Sequence, residues 1–500
     1  MKVTTAAEMR SVEERAAALG LTSLVLMETA GHALAQAVLR QASAPRPRVL
    51  VLAGPGQNGG DGLTAARHLL GSGAEVHVWL LADPGRLRGA AKEQWLRVQG
   101  SARVAWSQSA GTPPGRFDAA IDAMFGTSLA RDLAGDAARA VDYLVATGVP
   151  VVAADLPSGV HADTGRLAGT AVRASCTVAL GALKPGHLFW PGRDYCGEIV
   201  LEPLGLLPDL LDDVGMERID HLSPADAAPT SGKGAYGRTV IVAGSAHYPG
   251  AAWLAARGAL RGGSGLTVLA SVDQVLRHAA ALPEVIARQL QARGTTGVID
   301  AAALDAETFR DASAVVIGPG LDRMDDAGQA AWLDLYLGLH RPLVLDADGL
   351  RPVLGRIGLL RRRPGPTVLT PHVGEASRLL GRSVADDAPA RLRAAREIAE
   401  RSGAVVLLKG HPTFVAAPWG RVAVIEGGGP ELATGGTGDV LSGALGAQLA
   451  QGSSARDAAE RAAWAHAQAG ALFRRRQPRG GLASEIADLL PLPLGGYADA

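Results

Sequence analysis

Short apolar runs alternate with longer helical patterns, and this rhythm starts twice in one chain. In the first half, residues 48–53, 75–81, 119–125, 149–155 and 198–204 read as strands, and 65–73 and 136–148 as helices. One opening helix is expected over residues 5–40. In the second half, residues 238–244, 265–271, 313–320, 342–349, 367–372, 404–410 and 421–427 read as strands with helical patterns between most of them. Such alternation predicts parallel sheets covered by helices on both faces. The stretch 205–235 is rich in Pro, Asp and Gly and is read as the connection between domains. A chain of 500 residues exceeds what one core normally supports. Two α/β domains are therefore expected, residues 1–215 and 222–495, each a three-layer αβα arrangement.

The formal net charge is zero. That removes any bulk electrostatic ground for a nucleic-acid or membrane partner. No apolar run reaches membrane-spanning length, and the charged start carries no apolar leader segment. Cys176 and Cys196 form neither a disulfide framework nor a metal-binding spacing. A cytoplasmic protein with reduced thiols is expected, acting on small molecules, with no nucleic acid, no membrane and a homo-oligomeric state. Only five lysines stand among 49 basic residues, and Lys233 and Lys409 both lie beside glycine.

The segment Thr434–Gly443 reads TGGTGDVLSG, and the pattern after Asp439 fits a helix start. Such a turn aims backbone amides at one point and adds the positive end of a helix dipole. Amides of Gly436, Thr437 and Gly438 would hold a transferred phosphoryl group there, with Asp439 as general base for an attacking hydroxyl. In the first half, residues 54–70 (GPGQNGGDGLTAARHLL) follow a strand and enter a helix. The carboxyl end of a parallel strand is where open α/β sheets bind ligands. The glycine spacing is not the dinucleotide fingerprint, and Asp61 argues against a bare phosphate. Asp122 and Asp155 also end strands, and Ser158 follows Asp155 by three residues. With Asn58 they supply hard oxygen ligands suited to a monovalent or hard divalent cation; singly, such residues also cap helices.

The first-half segments resemble the NAD(P)H-hydrate epimerase domain, which is Rossmann-like. They are GPGQNGGDGLTAARHL, the IDAMFGTSLAR loop (121–131) and DLPSG (155–159). The resemblance implies substrate contacts from Gln57, Asn58, Gly59, Gly60 and Asp61, from Gly126, Thr127, Ser128, Leu129, Ala130, Arg131 and Asp132, and from Asp155. It implies potassium ligands at Asn58, Asp122 and Ser158. Gln57 stands where Asn is usual, and Ser128 where Gly is usual.

The second half resembles the ADP/ATP-dependent NAD(P)H-hydrate dehydratase, which is ribokinase-like. The matching stretches are 233–270, 315–321, 344–350, 370–380, 407–416 and 433–443. The resemblance implies substrate contacts at Ala252, Gly320, His372 and Asp439. It implies nucleotide contacts at Lys409, Gly410, His411, Pro412, Thr413 and Gly438. Glu375 lies where related kinases serve a magnesium shell, and His372 takes the place of their Asn. A fused chain resembles bacterial members, so ADP is the expected donor, with ATP as the alternative. Asp439 and Asp155 are the candidate catalytic residues; which acid carries the proton in epimerisation stays open. An ordinary kinase with a regulatory first half, or a first half that only senses a nucleotide, are the competing readings.

Overall fold

A computed structural model describes residues 1–101, 104–108, 113, 115–222, 232–294, 297–477 and 480–495. The chain divides into two compact units, Met1–Met216 and Glu217–Ala500.

Among the described residues, seven strands of the first unit form one sheet: β1 (Arg48–Ala53), β2 (Glu75–Leu80), β3 (Val104–Gln108), β4 (Ala119–Ala123), β5 (Val151–Ala154), β6 (Cys176–Leu180) and β7 (Glu198–Glu202). They pair in parallel in the order β3-β2-β1-β4-β5-β6-β7. The order reverses between β1 and β4, so the loops leaving these two strands diverge and open a crevice. Successive side chains of β1 point to opposite faces: Val49, Val51 and Ala53 join one core cluster, and Leu50 and Leu52 the other.

The expected opening helix is two helices, Ala6–Ala18 and Ser23–Gln41, bent by 116°. Gly20 between them takes φ +91°, and Thr22 is extended at φ −67°, ψ 162°. A left-handed glycine ends one helix, and a threonine in N-cap position starts the next. Strands β3 and β6 were not expected. Each is five residues long, and β3 is an edge strand, so pairing with neighbours rather than a long apolar run defines them.

Between Arg238 and Ile425 the second unit lays down nine strands: β8 (Arg238–Val242), β9 (Leu266–Ser271), β10 (Ile286–Gln289), β11 (Ala314–Ile317), β12 (Leu343–Leu345), β13 (Thr367–Leu369), β14 (Val405–Leu408), β15 (Thr413–Ala416) and β16 (Val422–Ile425). Their order is β16-β15-β14-β13-β12-β11-β8-β9-β10, parallel except for antiparallel β14-β15-β16. β10 and β15 were not among the expected strands.

The helix Thr437–Ala450 is buried along most of its length, which is the pattern of a core helix. It meets the helix Pro249–Arg261 almost backbone to backbone. A Cβ at Gly258 would sit 2.1 Å from the Val440 carbonyl oxygen, and one at Gly443 would sit 1.8 Å from that of Ala255. Among the described residues no single helix is long and apolar enough to cross a membrane. Cys176 and Cys196 are buried thiols, and that of Cys196 donates to the Gly192 carbonyl at 3.3 Å.

Candidate active sites

In the first unit the chain leaves β1 through Gly54–Gly56 and enters the helix Gln57–Gly71. The turn is tight because its glycines carry no Cβ. One at Gly54 would lie 1.9 Å from the Met124 carbonyl oxygen, and one at Gly59 would lie 1.9 Å from that of Gly54. Gly59→Ala should therefore cost about 1–3 kcal/mol by overpacking, despite alanine's better helix propensity. A urea unfolding curve at wild-type stability would contradict this.

A Cβ at Gly126 would stand 3.2 Å from Asn58 Oδ1 and 3.5 Å from Asp155 Oδ2. Asn58, Gly126 and Asp155 thus line one spot in the crevice. Next to it, Ser158 Oγ donates to Asp122 Oδ1 at 2.6 Å and accepts from the Phe125 amide at 3.0 Å. The Ser158 amide donates to Asp122 Oδ2 at 2.7 Å. Asp122 is fully buried, and burial raises its carboxyl to about 6 against the hydrogen bonds from Ser158 and Met124. Among the described residues no cationic side chain pairs with Asp122, and the oxygen donors around it are of the hard type that suits a cation. The buried Asn58 Nδ2 also lacks a partner.

The loop 126–132 contributes less uniformly. Leu129 is buried, Thr127 is half-buried, and Ser128, Ala130, Arg131 and Asp132 are exposed. The Asp132 side chain faces Gly169. Ser128 is not at positive φ, so serine in place of glycine stores no backbone strain there. Gln57 is exposed on the first helical turn, while Gly59, Gly60 and Asp61 are buried.

Asp155 sits at φ +64°, a left-handed conformation that only a few non-glycine residues take. Its carboxylate pairs with the Lys184 ammonium, which is 1% exposed and also donates to the Leu180 carbonyl at 2.7 Å. His187 Nδ1 accepts from the Lys184 amide at 2.9 Å, so its Nε2–H donates to the Asp155 carbonyl at 2.5 Å. Burial pushes the His187 imidazole down to about 4, which keeps it neutral. Asp61 is raised well above the usual carboxylate range, first by burial, then by Asp155 and Glu13, with Lys184 opposing.

In the second unit, Gly436 at φ +95° precedes the helix Thr437–Ala450 and puts Asp439 in its first turn. Lys409 Nζ donates to Asp346 Oδ1 at 2.8 Å and lies 3.5 Å from where a Gly438 Cβ would be. Asp346 Oδ2 accepts from Ser442 Oγ, which also donates to the Gly438 carbonyl at 2.9 Å. Burial, then Asp346, raise Asp439 to about 7 while Lys409 opposes. Burial would depress Lys409, but Asp346, Glu375 and Asp439 together raise it.

His372 caps the helix Val373–Leu380: its Nδ1 accepts from the Gly374 amide at 3.0 Å. Glu375 Oε2 accepts from the His372 amide at 2.8 Å. One oxygen of the expected magnesium ligand is thus taken by the cap. The Ala252 methyl is fully buried against Gly244, and Gly320, at φ +63°, packs on Tyr248 and Ala251. The exposed groups at that point belong to Ala246–Tyr248 and Gly250 rather than to Ala252. A cavity of about 300 Å³ runs from Lys409, Gly410, His411 and Thr413 past Gly427–Gly429 to Thr437, Gly438 and His466. Pro412 follows His411 through a cis bond. The Arg391 guanidinium donates to the His411 carbonyl at 2.6 Å and fixes this loop.

The NAD(P)H-hydrate dehydratase family model matches residues 239–492, and the model for the YjeF-related protein N-terminus matches residues 23–186. A bifunctional NAD(P)H-hydrate repair enzyme of Thermofilum pendens is 36% identical over 97% of this chain and 94% of its own length. That of Gloeobacter violaceus is 39% identical over 98% and 96%. The chain belongs to the bifunctional NAD(P)H-hydrate repair enzymes. A solved ADP/ATP-dependent NAD(P)H-hydrate dehydratase from Bacillus subtilis, co-crystallized with ATP/Mg2+, is 31% identical over 55% of this chain and 94% of its own, with a TM-score of 0.48. The α/β architecture expected of such a repair enzyme, Rossmann-like then ribokinase-like, is the observed one.

Four residues that the structure brings to these candidate sites escaped the sequence reading. Lys184 had a signal, being one of so few lysines. Asp346 ends a strand as Asp122 and Asp155 do. Arg391 and His466 lie within helices and carried none. Burial holds His466 down to about 4, and its Nε2 is buried without a partner.

Proposed function

We propose that the protein repairs hydrated NADH and NADPH. The first unit interconverts the R and S hydrates. The second dehydrates the S hydrate at the expense of a nucleotide. Hydroxide is a poor leaving group; phosphorylating the ring hydroxyl replaces it with phosphate, which the ring nitrogen expels. Asp439 takes the hydroxyl proton, the amides of Gly436, Thr437 and Gly438 hold the transferred phosphoryl, and Lys409 offsets its charge. ADP is the donor, giving AMP and phosphate, and the cavity beside Lys409–Thr413 takes its nucleoside. Magnesium would neutralise donor phosphates, with Glu375 Oε1, outside the cap and 3.6 Å from His372 Nε2, the oxygen nearest to hand. His372 and Gly320 face the hydrate. The observation that carries this reading is Asp439: a carboxyl raised to about 7 by burial and by Asp346, in the first turn of a helix, beside a half-buried lysine.

The test is incubation with hydrated NADH plus ADP or ATP, following recovery of the reduced-nicotinamide absorbance. No recovery with either donor would sink the reading. A preference for ATP would change only the donor.

Potassium belongs to the first unit in this reading, held by Asn58, Asp122 and Ser158, where it supplies a fixed positive charge. Asp122→Ala, or replacement of potassium by a bulky organic cation, should slow R-to-S exchange at least tenfold and spare dehydration of pure S hydrate. Equal loss of both rates would show that the activities are assigned to the wrong units. The reading also includes a homo-oligomer, checked by light scattering, and a cytoplasmic location.

A further inference from the structure

We infer that Asp346 is a positioning residue for dehydration: it fixes the Lys409 ammonium and, through Ser442, the turn that carries Asp439. This rests on the dehydratase reading of the second unit. Asp346 directly follows β12 and is 1% exposed. Its amide donates to the Ile317 carbonyl at 3.1 Å, and its carbonyl accepts from the Gly349 amide at 2.9 Å, so its backbone is held from both sides. Both carboxylate oxygens are used. Oδ1 accepts from Lys409 Nζ at 2.8 Å, and Oδ2 accepts from Ser442 Oγ. Lys409 directly follows β14, and Ser442 lies one turn after Gly438 in the helix Thr437–Ala450. Ser442 Oγ is 2.9 Å from the Gly438 carbonyl, and Lys409 Nζ is 3.5 Å from where a Gly438 Cβ would be. Two strand ends and the first turn of a helix thus meet on one buried carboxylate.

An ammonium carries three N–H donors. Asp346 takes one, and the others have no hydrogen-bond acceptor among the described residues. Lys409 borders the same cavity as Gly438, so those donors are available to phosphate oxygens held there. A lysine stem is flexible. Without its anchor the ammonium would spread over several positions, few of them matched to the transferred phosphoryl group. The charge of Asp346 also reaches the base. The charged groups acting on Asp439 are Asp346 and Lys409; Glu375 acts in turn on Lys409, and His466, across the cavity lining, is kept neutral by burial. Loss of the Asp346 charge should therefore lower the pH at which Asp439 becomes a base, and loss of the Lys409 charge should raise it.

The experiment uses the full chain with S hydrate, ADP and magnesium, and reads single-turnover rates against pH. Asp346→Ala removes the anchor, and the plateau rate should fall by about ten- to a hundredfold, the scale on which a misplaced group acts. ADP affinity, measured by equilibrium dialysis, should not fall, because a negative charge near the phosphates is gone; retained binding also shows that the second unit is folded. Asp346→Asn keeps a neutral acceptor for Lys409 and should recover part of the rate. In both variants the rising limb should move below its wild-type position of about 7. The double variant Asp346→Ala/Lys409→Met buries no lone charge, and its rate should lie near that of Lys409→Met rather than at the product of the two losses. A near-normal rate in Asp346→Ala, losses that multiply, or a limb that stays in place would overturn the assignment. If the wild type restored no NADH with ADP or ATP, the dehydratase reading would fall and the assignment with it.

Discussion

Asp439→Asn should lower dehydration turnover by about two to four orders of magnitude while nucleotide binding persists. The amide keeps the size and polarity of the side chain but cannot accept a proton from the ring hydroxyl. The pH profile gives a sharper check. Asp439 is raised to about 7 by burial and by Asp346. As a base it works only when deprotonated, so turnover should climb as pH rises through about 7 and then level off. Lys409 opposes the rise, so Lys409→Met should move that limb to higher pH as well as weaken phosphate binding. Single-turnover rates between pH 5.5 and 9 (about the range over which such a limb is read) would settle it. A flat profile, or an Asp439→Asn variant within about tenfold of wild type, would exclude a proton-abstracting role.

Lys184→Met should destabilise the first unit by about 3–5 kcal/mol, the usual cost of removing one partner from a buried ion pair. Lys184 is 1% exposed and Asp155 is 7% exposed, so water cannot replace the lost ammonium. The backbone there adds to the effect: Asp155 is held at positive φ by contacts that Lys184 and His187 supply. Urea unfolding, read by epimerase loss against dehydratase loss, should show an early transition for the first activity alone. The double variant Lys184→Met/Asp155→Asn should regain part of the stability, since it buries no lone charge and asparagine tolerates the left-handed backbone. A single variant that unfolds like wild type would mean that the pair is not the buried contact described.

The residues legible from sequence share one property: their local pattern already dictates their place. Gly54–Asp61 and Thr434–Asp439 announce strand-to-helix and loop-to-helix turns, because few residue types permit such turns. Asp122 and Asp155 end apolar runs, which puts acids at the open edge of a parallel sheet. The α/β layering followed from the same periodicity. What stayed hidden depends on partners far along the chain. Lys184 matters because folding sets it on Asp155, 29 residues earlier. Asp346 matters because Lys409 and Ser442 converge on it from two other elements. Arg391 is one arginine among many until its guanidinium reaches the His411 carbonyl. The break at Gly20 was missed because the apolar pattern continues across it, and a single left-handed residue outweighs that continuity.

The glycine contacts between the helices Thr437–Ala450 and Pro249–Arg261 set the tolerance with which the dehydration chemistry is aligned. Side chains can repack and share out an error. Two backbones touching at Gly258 and Gly443 leave nothing soft between them. The helix that carries Asp439 is therefore seated against a hard stop. A methyl group at Gly258, three residues from Ala255 and remote in sequence from any reacting atom, would shift that seat and the base with it. The loop at Gly427–Gly429 is not clamped between those helices. Variation in nucleoside preference across such enzymes is therefore expected to collect in that loop, while the helix pair stays nearly invariant.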